Sequence, residues 1–282
     1  MLKIAWVTDS TVHNDESINK HPDIYVVPMT ILIGDDEYQD GIELTPQELF
    51  KLLNSSDKEI KTSQPSIGIF QELYDQLAVS YDRIISIHVS SHFSGTVSSA
   101  TQAAQLVDIP VDVIDSKILS NPLTELILSG IKWLENGLSI DEVIHQLKNK
   151  INRAETYVMV GSLEQLHKSG RMNGLSFFIG SVLKIKPILS IEDGKLSVKE
   201  KVRSINKGYS RMKDYFDEAL SKRKVHTVSI LYGLNKEDAQ NWIEEFSVKY
   251  PGISFTANPL GAVIGVHVGE NTLGISWFAE ED

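Results

Sequence analysis

A hydroxyl-rich turn between an apolar strand and a helix is the part of the sequence best suited to bind a ligand. The apolar run 84–89 predicts a buried strand, and 98–106 predicts a helix. Between them lies Ser90-Ser91-His92-Phe93-Ser94-Gly95-Thr96. The first N–H groups of a helix lack helical partners and carry the positive end of its dipole, so added hydroxyl donors favour an anion. The alternative is that Ser94 or Thr96 only caps the helix.

A second hydroxyl cluster, Lys61-Thr62-Ser63-Gln64-Pro65-Ser66, precedes a helix predicted over 67–79. Ser66 can cap that helix, which leaves the hydroxyls of Thr62 and Ser63 for other partners. Hydroxyl, guanidinium and imidazole groups without a carboxylate pair suit the binding of a carboxylate or a phosphate. The candidate set is Thr62, Ser94, Thr96, Arg171, Arg203 and His267.

Other chemistries fit the sequence less well. A glycosidase needs two carboxylates, and a phosphate loop of the Gly-x-x-x-x-Gly-Lys-Ser/Thr type is absent. His88 and His92 have the spacing of a zinc-binding helix, but His88 falls in a predicted strand and no Glu follows it. A stand-alone esterase or phosphotransferase using Ser94, with His267 as its base, stays an alternative. However, Ser94 lies in Phe-Ser-Gly-Thr and not in a Gly-x-Ser-x-Gly elbow.

The composition is that of an ordinary globular protein. The 282 residues are 41% hydrophobic and 23% charged, and the net charge of −11 argues against nucleic acid as the main partner. Without cysteine, disulfides and thiol catalysis are excluded. The N-terminal residues do not resemble a signal peptide, and no apolar run approaches the ~20 residues of a membrane helix. We therefore expect a soluble, cytoplasmic protein.

Positive charge is concentrated in one stretch. Residues 195–224 contain ten Lys/Arg and four Asp/Glu, a net charge of +6, so the remainder of the chain carries −17. Such asymmetry indicates an acidic protein partner or nearby phosphate chemistry. The alternative is a solvated helix face.

The pattern of elements predicts an α/β protein with two domains. Up to about residue 150, strands alternate with helices, which indicates a mostly parallel sheet flanked by helices. Polar residues follow two of these strands, at Thr8-Asp9-Ser10-Thr11 and Asp115-Ser116, where open α/β sheets bind ligands. We predict an N-terminal α/β domain over 1–151 and a C-terminal α+β domain over 152–282.

Several local features complete the prediction. Thr45, Pro46 and Glu48 form a helix start, Ser139 caps a helix predicted over 140–150, and 35–41 reads as an acidic turn. The densely apolar run 175–191 reads mostly as core, but its flanking and internal glycines leave room for an apolar ligand near Phe177, Phe178, Ile179 and Leu183. Asp193-Gly194 predicts a hairpin, and 261–278 reads as two strands around a glycine-rich turn that presents His267.

Taken together in order, short motifs across nearly the whole chain resemble the DegV family of fatty-acid-binding proteins, known in bacteria as fatty-acid-carrying subunits of fatty acid kinase. Each motif is weak alone, but the ordered set is specific. The motifs are Thr8-Asp9-Ser10-Thr11, Asp40-Gly41, 61–66, Ser94-Gly95-Thr96, Asp115-Ser116, Gly170-Arg171, Lys186-Pro187-Ile188, Lys201-Val202-Arg203 and 265–269.

The resemblance implies a non-catalytic carrier with a fatty acid between its two domains and no cofactor besides that ligand. The carboxylate would be held by Thr62 and Ser94 at the Gly95 turn, supported by Arg171 and His267. The acyl chain would occupy an apolar tunnel, assigned to the four residues named above, and a separate kinase would convert the bound acid to acyl phosphate. The resemblance also implies that Arg203 acts with the kinase. Contact with a membrane would be transient at most.

Two departures from the family pattern occur near the predicted site. Ser120-Asn121-Pro122-Leu123 replaces a glycine-rich turn, and His267-Val268-Gly269-Glu270-Asn271 replaces an ending of the type His-Thr-Gly-Pro-Gly. Neither removes a predicted head-group contact. The sequence does not specify the preferred acyl chain, the oligomeric state or the kinase.

Overall fold

The computed structural model describes residues 2–55, 60–171 and 185–280. The chain forms two compact units. The first comprises Met1–Leu147 and Gly261–Val266, and the second comprises Lys148–Leu260 and His267–Asp282. The domain boundary at residue 151 that the sequence suggests stays a prediction.

A four-stranded parallel sheet forms the centre of the first unit. Its spatial order is β2 (Ile24–Val27), β1 (Ile4–Asp9), β6 (Arg83–His88) and β7 (Val111–Asp115). All three pairings are parallel, as the sequence predicts. The chain order reverses between β1 and β6, and the carboxyl ends of strands at such a point are where open α/β sheets bind ligands.

Helices pack against both faces of this sheet. The helices of this part of the chain are α1 (Glu16–Asn19), α2 (Pro46–Ser55), α3 (Ile67–Ala78), α4 (Thr96–Ala104), α5 (Asn121–Glu135) and α6 (Ile140–Ile151). Phe70 of α3 and Ala100 of α4 share a core with Val7 of β1. Trp6 points to the opposite face because strand side chains alternate, and its ring lies 2.6 Å from where a Cβ on Gly130 of α5 would be.

Three helix starts predicted from the sequence are confirmed. Thr45 and Glu48 form reciprocal hydrogen bonds ahead of α2, the capping-box arrangement. The Ser66 side chain accepts from the Ile69 amide at the start of α3. Ser139 and Glu142 repeat the capping box at α6.

The prediction of an acidic turn over 35–41 is correct only at its two ends. The chain turns at Gly34-Asp35 and again over residues 41–43, where Gly41 has a φ of 76°, but Asp36–Gln39 is a strand, β4, which pairs with β3 (Thr30–Ile33). Strand β3 also pairs with β5 (Ile60–Ser63), which gives a three-stranded antiparallel sheet. Strand β4 is exposed at the sheet edge, and charged residues commonly protect such edges, so it carries no apolar signal.

The second unit contains a six-stranded mixed sheet. Its spatial order is β10 (Lys195–Val202), β9 (Lys186–Glu192), β8 (Ala154–Met159), β13 (Leu273–Phe278), β11 (Thr227–Tyr232) and β12 (Ser254–Pro259). Only the pairing of β11 with β12 is parallel. The predicted Asp193-Gly194 hairpin joins β9 to β10, with φ angles of 49° and 81°.

Two long helices cover the core of this sheet. They are α8 (Ile205–Leu220) and α9 (Lys236–Lys249), and a short helix, α7 (Leu163–Lys168), follows β8. Phe216 of α8 and Phe246 of α9 pack with Trp277 of β13 in one buried cluster. The second unit is therefore α+β, as the sequence predicts.

The strand predicted around His267 is wrong. Ala262–Val268 forms a helix, α10, and only Leu273–Phe278 is a strand. All residues from Ala262 to Val266 are buried. A short, wholly buried helix shows the same unbroken apolar run as a buried strand, so periodicity does not distinguish the two.

The proposed tunnel residues Phe177, Phe178, Ile179 and Leu183 lie outside the described residues. No helix within the described segments combines the length and the apolar character needed to cross a membrane.

Candidate functional site

The Ser94 turn follows β6 and leads directly into α4. Gly95 is the N-cap residue, and no side chain makes the usual capping hydrogen bond there. The Ser94 hydroxyl lies 2.8 Å from the Thr96 hydroxyl and accepts from the Thr96 amide at 3.3 Å. Thr96 is fully buried, whereas Ser94 is partly exposed. The turn thus presents one accessible hydroxyl beside the N-terminus of a nine-residue helix.

Asp9, at the end of β1, holds the beginning of this turn. Its carboxylate accepts from the Val89 amide at 2.9 Å and contacts His88 Nδ1 at 3.1 Å. It also accepts from the amide and hydroxyl of Thr11. Burial would raise the pKa of Asp9, but the hydrogen bonds from His88, Thr11 and Val89 hold it below its ordinary value.

Asp115, at the end of β7, holds the same turn from the other side. Its carboxylate accepts from the amide and the hydroxyl of Ser91, at 3.2 and 2.5 Å. It also accepts from the Lys117 amide at 2.9 Å, where the backbone has a φ of 57°. Carboxylates from β1 and β7, the two strands that flank β6, therefore fix the backbone that leads to Ser94.

The His88 ring continues inward as a chain of buried hydrogen bonds. Its Nε2 lies 2.7 Å from Ser86 Oγ, which lies 2.8 Å from the Tyr74 hydroxyl. Aspartate, histidine and serine in sequence resemble a hydrolase triad, but Asp9, His88 and Ser86 are all 0% exposed. No substrate reaches this serine in the folded chain, so the network supports the sheet.

The end of β5 meets the Ser94 turn. Thr62 is a half-buried residue of β5, paired with Ile31 of β3. Two residues later, the Gln64 side chain lies against Gly95 so closely that a Cβ there would be 2.9 Å from Gln64 Nε2. A side chain at position 95 would therefore displace Gln64, although the Gly95 backbone itself, with a φ of −74°, is open to any residue. The two hydroxyl clusters predicted from the sequence are neighbours within the first unit.

Arg171 and His267 form a second group of predicted site residues, within the second unit. Burial and, to a smaller extent, the charge of Arg171 together lower the pKa of His267 to about 3, so the imidazole is neutral near pH 7. Burial also lowers the pKa of Arg171, whose Nη1 donates to the Ser169 carbonyl at 2.6 Å. A cationic guanidinium beside a neutral imidazole offers donors to an anion.

The loop after His267 is held through its backbone. A Cβ on Gly161 would lie 2.7 Å from the Asn271 amide nitrogen, and the Leu234 amide donates to the Glu270 carbonyl at 2.8 Å. Thr272 Oγ1 accepts from the Gly161 amide. Glu270 and Asn271 make these contacts with main-chain atoms, so the contacts do not depend on which side chains stand at the two positions.

Arg203 follows β10 and is exposed, without a hydrogen bond or an ion pair in the described part of the chain. Other basic residues of 195–224 have acidic partners: Arg211 binds Glu200 and Asp214, and Lys222 binds Glu218. The structure therefore separates the basic stretch into paired and unpaired cations.

Sequence reasoning missed the roles of Asp9, His88, Asp115 and Gln64. The two aspartates were singled out because each follows a strand of a predicted parallel sheet, but for ligand binding and not for holding the turn. His88 and Gln64 offered none. Among the described residues, no group of three or more His, Asp or Glu side chains could hold a metal ion.

Comparison with known proteins gives consistent matches over the whole length. A family model described as "Uncharacterised protein, DegV family" matches residues 3–280. Protein DegV of Bacillus subtilis is 36% identical, over 98% of this chain and 99% of its own length.

Solved structures match closely as well. The crystal structure of DegV, a fatty acid binding protein from Bacillus subtilis, has a TM-score of 0.91 and 35% identity, covering 99% of this chain and 100% of that one. A fatty-acid-binding DegV family protein from Thermus thermophilus has a TM-score of 0.92 and 28% identity, with coverage of 99% and 100%. The fatty acid kinase B3 protein of Streptococcus pneumoniae, solved with linoleic acid, is 18% identical with a TM-score of 0.84 over 99% and 100%, a likeness of fold alone.

Proposed function

This chain belongs to the DegV family, and from that premise we propose that it binds a long-chain fatty acid and presents the carboxylate to a separate kinase. The observation that carries the proposal is the Ser94 turn: an accessible hydroxyl, placed before a helix N-terminus and fixed by Asp9 and Asp115. Such a turn stabilises an anion through helix N–H groups and a hydroxyl donor.

The head group in this proposal is bound by Thr62, Ser94 and the Gly95 turn. Arg171 and His267 contribute a positive charge and a neutral imidazole donor to the same carboxylate. Burial lowers the pKa of both residues, and the charge of Arg171 also lowers that of His267, so a neutral imidazole lies beside the guanidinium. The acyl chain is assigned to a tunnel that includes Phe177, Phe178, Ile179 and Leu183.

The kinase partner follows from the family resemblance and from the basic stretch. The exposed Arg203 is available to a partner protein or to the transferred phosphate. In this arrangement the chain is a non-catalytic carrier, and the kinase supplies ATP chemistry in the cytoplasm. An esterase using Ser94 would need a base at its hydroxyl, but in the described segments its hydrogen-bond partners are the two Thr96 groups.

Extraction of the purified protein into organic solvent, followed by mass spectrometry, tests the proposal. We expect about one long-chain fatty acid per chain. Empty protein that hydrolyses esters would contradict the carrier function and support the alternative.

A paired substitution tests the head-group assignment. Ser94→Ala with Thr62→Ala removes two donors to a charged group, worth roughly 1.5–3 kcal/mol each. We expect affinity for fatty acid to fall at least about a hundredfold, as measured by displacement of a fluorescent fatty acid. Ser98→Ala in α4, an exposed hydroxyl of the same helix, serves as the matched control. Unchanged affinity in the double variant would show that the assignment is wrong.

A further inference from the structure

We propose that Thr96 is a positioning residue that fixes the Ser94 hydroxyl as a hydrogen-bond donor, so that the turn selects an ionised carboxylate over its neutral amide. The proposal rests on the proposed function, since it concerns the same head-group site. It assigns to Thr96 the choice of head-group chemistry, whereas Ser94 makes the contact.

The hydroxyls of Thr96 and Ser94 lie in different environments. Thr96 is 0% exposed, and its Oγ1 lies 2.8 Å from Ser94 Oγ. Within the described part of the chain, this is the only hydrogen bond of the Thr96 hydroxyl. Ser94 is partly exposed, so its hydroxyl lies between the buried Thr96 hydroxyl and the accessible side of the turn.

The burial of Thr96 decides which of the two hydroxyls donates. If Ser94 donates to Thr96, the Thr96 proton is buried without an acceptor, which is unfavourable. If Thr96 donates to Ser94, each buried hydrogen has a partner. A hydroxyl has one donor and two acceptor positions, and the Thr96 amide already uses one acceptor position of Ser94 at 3.3 Å. Donation by the Thr96 hydroxyl therefore occupies the second acceptor position of Ser94.

The Ser94 hydroxyl keeps one hydrogen-bonding position for a ligand. With both acceptor positions of Ser94 occupied by Thr96, the Ser94 proton is the only hydrogen-bonding capacity left on that side chain. A carboxylate oxygen accepts this proton. A primary amide has nearly the same shape, and its carbonyl oxygen can accept this proton, but that hydrogen bond lacks the charge of a carboxylate and is weaker. Its NH₂ group is a donor and finds no acceptor at Ser94, so the amide binds in one orientation only. The preference for carboxylate therefore depends on Thr96, a residue that does not contact the ligand.

Thr96→Val tests the proposal, because it removes the hydroxyl and keeps the branched shape. The measurement is the ratio of the dissociation constants of hexadecanamide and hexadecanoate on delipidated protein, by displacement of a fluorescent fatty acid. We expect the preference for the acid to fall roughly 2- to 10-fold, because the freed acceptor position of Ser94 gives the amide NH₂ group one neutral hydrogen bond, while Ser94 still donates to the carboxylate. Thr96→Ser restores the hydroxyl and should restore the ratio.

Two controls isolate the effect. Thr101→Val removes a hydroxyl from the same helix, one that donates to the Val97 carbonyl at 2.7 Å, and should leave the ratio unchanged. In a Ser94→Ala background, Thr96→Val should produce no further change, because the two residues act through one hydroxyl. Thr96→Ala replaces the valine variant if the latter does not fold.

The outcomes separate this proposal from the proposed function. A parent protein that binds hexadecanoate, with an unchanged ratio in Thr96→Val, overturns the role of Thr96 and leaves the carrier function standing. A parent protein that binds neither compound overturns both. A lower ratio that Thr96→Ser does not restore indicates a packing effect and also overturns the proposal.

Discussion

Asp9 and Asp40 are both buried aspartates of the first unit, yet their pKa values shift in opposite directions. Asp9 has four hydrogen-bond donors, which offset the effect of burial. Burial raises the pKa of Asp40 to about 6, because donation from Ser10 and the Val263 amide offsets it only in part. The number of donors, rather than depth alone, decides the charge of a buried carboxyl.

Asp40→Asn should therefore stabilise the protein at neutral pH. The folded state holds the Asp40 proton up to about pH 6, whereas an unfolded aspartate loses it near 3.8. Stability from this group is full below pH 4 and is lost as pH rises through 6. Asparagine does not titrate, so its advantage should grow over that range and reach about 3 kcal/mol at pH 8.

Thermal unfolding of parent and variant at pH 4 and pH 8 measures this effect. Asp75→Asn, which removes an exposed carboxylate from α3, is the control and should show no such trend. An advantage of Asp40→Asn that is equal at both pH values would contradict the prediction.

At the scale of single residues, the sequence predicts the contacts that depend on local order. Ser94, Gly95 and Thr96 stand between a strand and a helix, so their arrangement follows from neighbours in the chain. The contact of Asp9 with His88 joins residues 79 positions apart and depends on strand register. No local pattern encodes it, and the same holds for the approach of Gln64 to Gly95.

At the scale of elements, the turn after β6 depends on the neighbouring strands for its shape. Asp115→Ala removes three hydrogen bonds, two of them from Ser91. We expect local opening to become easier by about 1–2 kcal/mol, so the Ser91 and Lys117 amides should exchange hydrogen roughly 5- to 30-fold faster.

Hydrogen exchange read by mass spectrometry on peptides spanning 89–96 and 113–120 measures this change at Ser91 and Lys117. Asp108→Ala, at an exposed position ahead of β7, is the control. Equal exchange in parent and Asp115→Ala would mean that the turn keeps its shape without the carboxylate.

The apolar run 175–191 supports a prediction about the acyl chain. Each buried methylene contributes about 0.8 kcal/mol, so affinity should rise roughly fourfold per carbon up to a limiting length and then fall. Displacement assays with saturated acids of increasing length measure this dependence. A flat response would contradict a closed tunnel.

Element types were predictable where periodicity or capping was distinct. Helices α2, α3 and α6 begin at the capping residues that the sequence marks. Helix α10 and strand β4 were not predictable, for opposite reasons. The first is buried on all sides and therefore lacks a polar face, whereas the second is exposed and lacks an apolar one.

At the scale of the whole molecule, the asymmetry of charge supports a prediction about the kinase. Arg203→Ala should leave bound lipid unchanged and slow acyl phosphate formation when kinase and ATP are supplied. The rate for the parent should fall as salt rises, because exposed charges act within a screening length of about 8 Å at physiological ionic strength.

Lys236→Ala is the control, since it removes an exposed cation of the second unit outside the basic stretch. A variant of Arg203 that loses its lipid but supports normal acyl phosphate formation at saturating fatty acid would place Arg203 in the head-group site instead.

The overall class and the family of the fold were predictable from ordered motifs, because these span the chain. The extent of the two units was not, because Gly261–Val266 belongs with residues more than a hundred positions earlier.

Replacing the lysines of the basic stretch would also affect strand β10, because this strand lies at the edge of a sheet. Among the described strands it lies at one end of the six-stranded sheet, so one of its edges has main-chain groups open to another extended chain. Lys195, Lys199 and Lys201 are exposed along it, and the register shifts between Val198 and Glu200. Charge and irregularity on an edge strand oppose intermolecular strand addition. Neutralising these lysines together would therefore favour self-association of the protein into aggregates, independently of any partner.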